Sequence, residues 1–311
     1  MATQTILVVG ATGNMGGKIA AAIARKGGVS VRALVRSKTA RDAKGQAALD
    51  HLQSIGAELV EGDLTEGASL ERACEGVHTV LSTVNGGKSI VLDGQLALLE
   101  AAKKSGVEVF MPSDYSADYN KLVPEDNYNY ALRKQVMDAV KASGLNHISI
   151  MSGAFLEVLF SPYFQIFDLE HGQASYWGDG DTPFDATTMD DTARFVGEAT
   201  TDSRSLNTDV QFSAEQVTMK SLIAAYERVK GVKLAVHPNG SVEEFAAYLA
   251  SHQPTNPDPW MEMAPWYQWI FATGKGTLDH KVNDRYPHIK PTTPDEFVAT
   301  LPAPGSSTPT A

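Results

Sequence analysis

The sequence predicts an α/β fold, a doubly wound parallel sheet with a smaller C-terminal α/β lobe, and three observations predict it. An apolar run, Thr5-Ile6-Leu7-Val8-Val9, enters the turn Gly10-Ala11-Thr12-Gly13-Asn14-Met15-Gly16-Gly17 and leaves as a helical pattern from Lys18 to Ile23. Apolar runs and helical patterns then alternate through the first half of the chain. Gly27-Gly28, Ser105-Gly106 and Ser143-Gly144 each close a helical pattern just before an apolar run, where a left-handed terminal residue belongs. Strand–helix units of this length imply parallel strands joined by right-handed crossovers, with helices on both faces.

The second strand is expected at Val29–Val35, followed by a helix over Ala43–Ser54 and a third strand at Ala57–Val60. A fourth strand follows at Val77–Ser82, then a helix over Ile90–Lys104 and a fifth strand at Val107–Met111. A helix over Asn129–Ser143 leads to the sixth strand, His147–Met151. After Met151 the rhythm breaks. Gly153 to Asp168 is apolar and aromatic, and Gly178-Asp179-Gly180-Asp181 reads as a turn between two short strands. Asp190 or Asp191 is the expected cap of a helix through Thr200. Further helices are expected over Thr218–Lys230, Val242–Leu249 and Trp260–Ala272. The organisation read from this is a nucleotide-binding domain over residues 1–152, a predominantly substrate-binding lobe over 153–300 and a flexible Pro/Ser/Thr-rich tail over 301–311.

Composition limits the partners. With 26 Lys and Arg against 37 Asp and Glu, the net charge is −11, a field that repels nucleic acid and anionic membranes. No apolar stretch approaches the ~20 residues of a membrane span, and no signal peptide precedes the first strand. The single cysteine, Cys74, excludes an internal disulfide and reads as a small apolar helix residue. Together these point to the cytoplasm and to a small-molecule substrate. No metal is expected: no histidine has ligand spacing with another histidine or cysteine, and Asp179, Asp181 and Asp185 miss the calcium-loop pattern.

The opening turn points to a dinucleotide. Its glycines, Gly10, Gly13 and Gly16, let the backbone turn tightly and approach a pyrophosphate, which the first N–H groups of the following helix receive; Thr12, Asn14 and Met15 lie between them. A NAD site places a carboxylate about twenty residues further on, at the ribose 2′-hydroxyl. This chain has Arg36-Ser37-Lys38 there instead. A planar guanidinium at Arg36, with Lys38 as a further donor, suits a 2′-phosphate and hence NADP(H). Asp63, after the third strand, either bonds the adenine amino group or caps the next helix.

The candidate chemistry lies further along. Ser113 follows the fifth strand, and Tyr130 and Lys134 stand four apart on a helix, hence on one face. An ammonium beside a phenol favours the phenolate, so Tyr130 would pass a proton to a carbonyl oxygen that Ser113 holds. The alternative is that Tyr130 packs and Lys134 is solvated. The aromatic group Trp260, Trp266, Tyr267, Trp269 and Phe271 reads either as lobe core or as one wall of an aromatic-substrate pocket.

The GxxGxxG turn, the serine after the fifth strand and the Tyr-x-x-x-Lys pair together resemble the short-chain dehydrogenase/reductase superfamily, with its Rossmann-type sheet. More narrowly, FMPSDYSADYN, the segment from GDGD to DDTARFVGEATTDSRSLN, and DRYPHIKPTTPDEF resemble its NmrA-like, isoflavone-reductase-like branch, over Thr5 to about Val298. The resemblance implies an NADPH site lined by the first turn, Arg36, Thr83-Val84-Asn85, Pro112-Ser113, Lys134 and Gly153-Ala154-Phe155. One departure stands out: counted back from Gly144, the branch's lysine slot falls on Arg133, one residue before Lys134. Arginine does not give up its proton at neutral pH. The leading expectation is an NADPH-dependent reductase of a small aromatic or apolar carbonyl or conjugated substrate. The alternative is a non-catalytic NADP(H) sensor that binds a protein partner, as some NmrA-like relatives do. A sugar-nucleotide epimerase, third, would need NAD, for which Arg36 is the wrong residue.

Overall fold

In the computed structural model, which describes residues 4–40 and 42–302, the first half runs as β1 (Gln4–Val9), α1 (Asn14–Lys26), β2 (Val29–Val35), α2 (Ala43–Ser54) and β3 (Glu58–Glu61). It continues with α3 (Gly67–Cys74), β4 (Thr79–Ser82), α4 (Gln95–Lys104), β5 (Val109–Met111), α5 (Tyr128–Ser143) and β6 (Asn146–Met151). A wider π-helical turn over Ser89–Gly94 leads into α4. The expected elements are present within a residue or two, and Cys74 lies on a helix as expected, at the end of α3. That thiol is fully buried, which pushes its pKa up to about 11 and leaves it inert.

Seven strands form the central sheet in the order β11-β6-β5-β4-β1-β2-β3, every neighbouring pair parallel. Strand order reverses between β1 and β4, which makes the crevice beyond their carboxyl ends the natural ligand position. Alternation along β1 divides the core. Leu7 and Val9 join Leu70, Leu98, Val136 and Val140, from α3, α4 and α5, on one face. Ile6 and Val8 join Ile19, Ile23, Leu52 and Phe195 on the other.

The second half runs as β7 (Ala154–Phe155), α6 (Leu156–Leu159), β8 (Phe167–Asp168), β9 (Gln173–Trp177), β10 (Phe184–Thr187), α7 (Met189–Ala199) and β11 (Thr208–Gln211). After these come β12 (Glu215–Val217), α8 (Met219–Lys230), β13 (Ala235–Gly240), α9 (Val242–Ser251), α10 (Ala264–Thr273) and α11 (Pro294–Thr300). Two small sheets, β12-β10-β7 and β13-β9-β8, build the lobe.

Two expectations need correction. The boundary at residue 152 is not a domain boundary, because the chain enters the lobe and then returns. β11 pairs with β6 as the seventh strand of the main sheet, and α7 packs on α1 with Gly197 against Ala22. An uncovered β6 edge would leave a row of unpaired backbone groups, which β11 satisfies. The cap of α7 is Thr188, whose hydroxyl accepts the Asp191 N–H at 3.1 Å; Asp190 and Asp191 lie in the first turn, where carboxylates meet the positive end of the helix dipole. Gly178–Asp181 is, as expected, a turn between two short strands, β9 and β10, which belong to different sheets. The tail expected from 301 lies outside the described residues from 303 onward. Among the described residues no helix is long and apolar enough to cross a membrane, and no cluster of three or more His, Cys, Asp or Glu side chains forms a metal site.

The return of the chain to the sheet is testable through Phe195 on α7, fully buried and stacked on Phe212 at 4.3 Å between ring centroids. Phe195→Ala is expected to destabilise the whole protein by about 3–5 kcal/mol in urea unfolding, as one cooperative transition.

Candidate functional site

The turn after β1 is shaped by close approach. Gly10 has φ +85°, in the left-handed region, and a side chain there would meet Thr83 Oγ1 at 2.7 Å. At Gly16 a Cβ would overlap the Gly10 carbonyl oxygen and come within 2.6 Å of Thr83 Oγ1. Only hydrogen fits at both positions, so the first turn of α1 lies directly on the loop after β4. Gly13 is the residue before the helix, and no side chain caps it. The N–H groups of Asn14, Met15 and Gly16 therefore open onto the crevice without an intrahelical partner, an arrangement that receives phosphate oxygens.

Beside this turn lies a cleft of about 380 Å³. Met15, Thr83, Val84, Asn85, Ser113, Tyr130, Gly153, Ala154 and Phe155 line it, so the structure brings these sequence-selected residues together. Gly10, Thr12, Gly13, Asn14 and Gly16 form the adjoining turn. Arg36 and Lys38 are exposed beyond the end of β2, with the Lys38 N–H donating to Glu61 at 2.9 Å. Asp63 accepts from the N–H and hydroxyl of Thr65 at 2.9 and 2.7 Å, bonds that lower its pKa; Arg36 lies close enough to lower it further. Asp63 thus closes a local turn, and the residue before α3 is Glu66.

Lys134 is not brought to the site. It stands on the outer face of α5, about half exposed, and pairs with Asp138 at 3.2 Å, one turn on. The physical reason is helix phase. Adjacent helical residues point about 100° apart, and the buried stripe of α5 runs through Tyr130, Arg133, Val136, Met137 and Val140. Arg133 therefore faces the cleft. It is 9% exposed and donates to the Ser113 carbonyl oxygen, and at 3.2 Å to Asn85 Oδ1. The stripe of apolar residues three and four positions beyond Arg133 was the signal in the sequence that selects it over Lys134.

The other two catalytic candidates also change character. Tyr130 lines the cleft, edge-on to Tyr267 at 5.2 Å, and burial raises its pKa well above the ordinary phenol value. Lys134 is not beside it; the nearby Arg133 cation favours the phenolate, but burial outweighs that pull. Ser113 donates its hydroxyl proton to the Val84 carbonyl at 2.7 Å, which ties the loops after β4 and β5 together and leaves no proton for a substrate oxygen.

Residues that sequence reasoning missed complete the walls. Asn129, Val158, Tyr163, Phe164 and Met189 join the cleft, and of the aromatic group Trp260, Tyr267 and Phe271 line it. Trp266 instead packs with Phe245 and Met263 in the lobe core, while the Trp269 indole donates to Asp126 at 3.1 Å. The cluster is thus both core and wall. Asp114 also lines the cleft, 1% exposed, with Oδ2 accepting from Ser149 at 2.7 Å and Oδ1 unpaired. Desolvation pushes its pKa up to about 7, against the opposing pull of the Ser149 bond and Arg133.

The chain belongs to the NmrA-like family, whose model matches residues 2–298. It is similar to a pinoresinol reductase of Arabidopsis thaliana, with 26% identity over 94% of this chain and 95% of that protein. Similarity to a phenylcoumaran benzylic ether reductase of Ginkgo biloba is 27% identity, over 96% and 99%. Among solved structures, the complex of leucoanthocyanidin reductase with NADPH from Vitis vinifera superposes with a TM-score of 0.81 at 23% identity, covering 94% of this chain and 98% of that one, a likeness of fold.

Two outcomes follow from this geometry. Gly16→Ala is expected to abolish dinucleotide binding in direct titration while Lys134→Ala changes binding and turnover by no more than about twofold, the scale of an exposed i,i+4 pair. Asp114 is protonated in the folded state up to about pH 7 but ionises near the ordinary 3.8 when unfolded. The stability this contributes is full below pH 3.8 and lost progressively as pH rises through about 7. Asp114→Asn should flatten that part of the stability–pH curve in urea unfolding.

Proposed function

We propose that this protein is an NADPH-dependent oxidoreductase that reduces a small aromatic or apolar carbonyl or conjugated substrate in the cleft beside the glycine turn. The observation that carries the reading is the juxtaposition of two features on one sheet edge. One is a turn that only hydrogen-bearing positions allow, with open helix N–H groups; the other is an aromatic cleft whose floor holds a buried cation, Arg133. Relatives named for the reduction of pinoresinol and of phenylcoumaran benzylic ethers support it.

The residues fit the cofactor at the turn. The N–H groups of Asn14, Met15 and Gly16 would hold its pyrophosphate, Arg36 and Lys38 its 2′-phosphate, and Thr83 to Asn85 with Gly153 to Phe155 its nicotinamide end. When bound, it supplies the hydride. Arg133 stabilises negative charge that develops on the substrate oxygen, a fixed cation already desolvated and oriented by Ser113 and Asn85. Tyr130 keeps its proton at all working pH values, because burial disfavours the phenolate, and releases it only to an oxyanion more basic than itself. Ser113 keeps the two loops in register through Val84. The aromatic walls orient the ring and exclude water.

Arg36→Glu should weaken NADPH binding roughly 10–100-fold, the worth of a charge-assisted fork, with NADH little affected. Equal losses for both would remove Arg36 from the 2′-phosphate. Arg133→Met is expected to lower kcat roughly 10²–10³-fold with NADPH affinity retained, and Arg133→Lys to recover part of it. The deciding measurement is NADPH oxidation over aromatic aldehydes, ketones, quinones and enones. Tight NADPH binding with no turnover across that panel would make the protein a sensor of the cofactor instead.

A further inference from the structure

One border of the cleft is a strap whose fastening the chemistry above does not use. It runs between α9 and α10 and carries Pro254, Pro257 and Pro259, whose fixed φ angles stiffen it. Trp260 and Met261 line the cleft from it, Met261 being 59% exposed on its outer side.

One carboxylate fastens the strap. The two oxygens of Asp258 accept the Lys88 backbone N–H at 3.1 and 2.9 Å, and the Tyr128 hydroxyl donates to Oδ1 at 3.3 Å. Asn256 Oδ1 in turn accepts the Asp258 N–H at 3.0 Å. The Lys88 ammonium is turned to Asp93 at 2.9 Å, so the clasp is carboxylate to backbone amide. Beyond it, Asn129 Nδ2 donates to the Trp260 carbonyl at 3.1 Å. Gly87 makes the approach possible: a Cβ there would overlap Asp258 Oδ2 and stand 2.9 Å from the Trp260 ring. The contact joins the loop after β4, just past the cleft-lining Asn85, to a strap 170 residues away that carries the cleft-lining Trp260.

With this roof in place the cleft of about 380 Å³ sits near the lower end of the ~300–1,000 Å³ typical of small-molecule sites. Part of that volume lies against Thr83–Asn85 and Gly153–Phe155, the nicotinamide end in the reading above. The remainder is lined by the edge-packed rings of Tyr163, Phe164 and Tyr267 together with Trp260. We propose that Asp258 is a specificity-determining residue: its clasp holds Trp260 and Met261 as a roof, so that the cleft takes one-ring aromatic substrates and rejects two-ring congeners. The inference rests on the reductase reading for its reaction, and on the strap alone for its size limit.

Two variants release the clasp by different routes. Asp258→Ala removes the acceptor, and Gly87→Ala pushes the carboxylate away while leaving it intact. Benzaldehyde and biphenyl carbaldehyde serve as probes, read by kcat/KM in NADPH oxidation and by quenching of tryptophan fluorescence in the NADPH-loaded protein. The ratio of two-ring to one-ring kcat/KM is expected to rise about tenfold or more in both variants, through KM, with NADPH affinity and Tm unchanged. An unchanged ratio in the two variants, or a wild type that prefers the biphenyl aldehyde, overturns the proposal. If the wild type binds benzaldehyde without turning it over, the binding ratio decides the clasp, and the reductase reading is decided by the wider panel above. Binding of neither aldehyde overturns the size-limit proposal and leaves the reductase reading to that panel.

Discussion

The rest of the site depends on one close approach, the contact of the α1 turn with the loop after β4. Gly10 and Gly16 face each other across a space in which no Cβ fits, with Thr83 Oγ1 as the third side. Thr83 is itself held by its bond to the Val9 carbonyl at 2.9 Å, so the end of β1 and the end of β4 are locked where strand order reverses. From that junction the crevice opens on one side to the helix N–H groups and on the other to the cleft. A methyl group at either glycine would separate the two halves of the site without touching any ligand.

The second constraint is the buried charge on α5. A guanidinium at this depth is costly unless its protons are satisfied, and Arg133 meets that cost with a carbonyl and an amide oxygen, both neutral. Among the described residues no carboxylate contacts it directly, and it faces a largely apolar cleft. Asp114, a buried acid close enough to feel that charge, is itself desolvated and bonded to Ser149, so it does not quench it by contact. A floor of this kind stabilises an oxyanion through a preformed field, with the proton handled separately.

The lobe is bound to the sheet by polar anchors at which the chain crosses back. Asp185 on β10 accepts from Ser213, from the Leu278 N–H and from Lys281, and Asp118 takes the Gln211 amide. Buried and multiply bonded carboxylates of this sort specify position more than they add stability. They keep the aromatic wall on α10 facing Tyr130, and they let the strap before α10 reach the loop after β4.

Local chemistry made much of this protein readable in its sequence. The glycine turn, the strand–helix alternation and the glycines that end α4 and α5 are all short-range features, and each element formed where its own residues demanded it. Arg36 and the absence of a carboxylate nearby were equally local. What required the tertiary structure was phase and return. Whether Arg133 or Lys134 entered the cleft turned on one hundred degrees of helix rotation, set by the packing of Val136, Met137 and Val140 on the sheet. That β11 would rejoin the sheet, and that Asp258 would fasten the strap at Lys88, depended on contacts between residues far apart in the chain. Spacing along a chain conveys which face a residue shares with its neighbours, and only packing decides what that face meets.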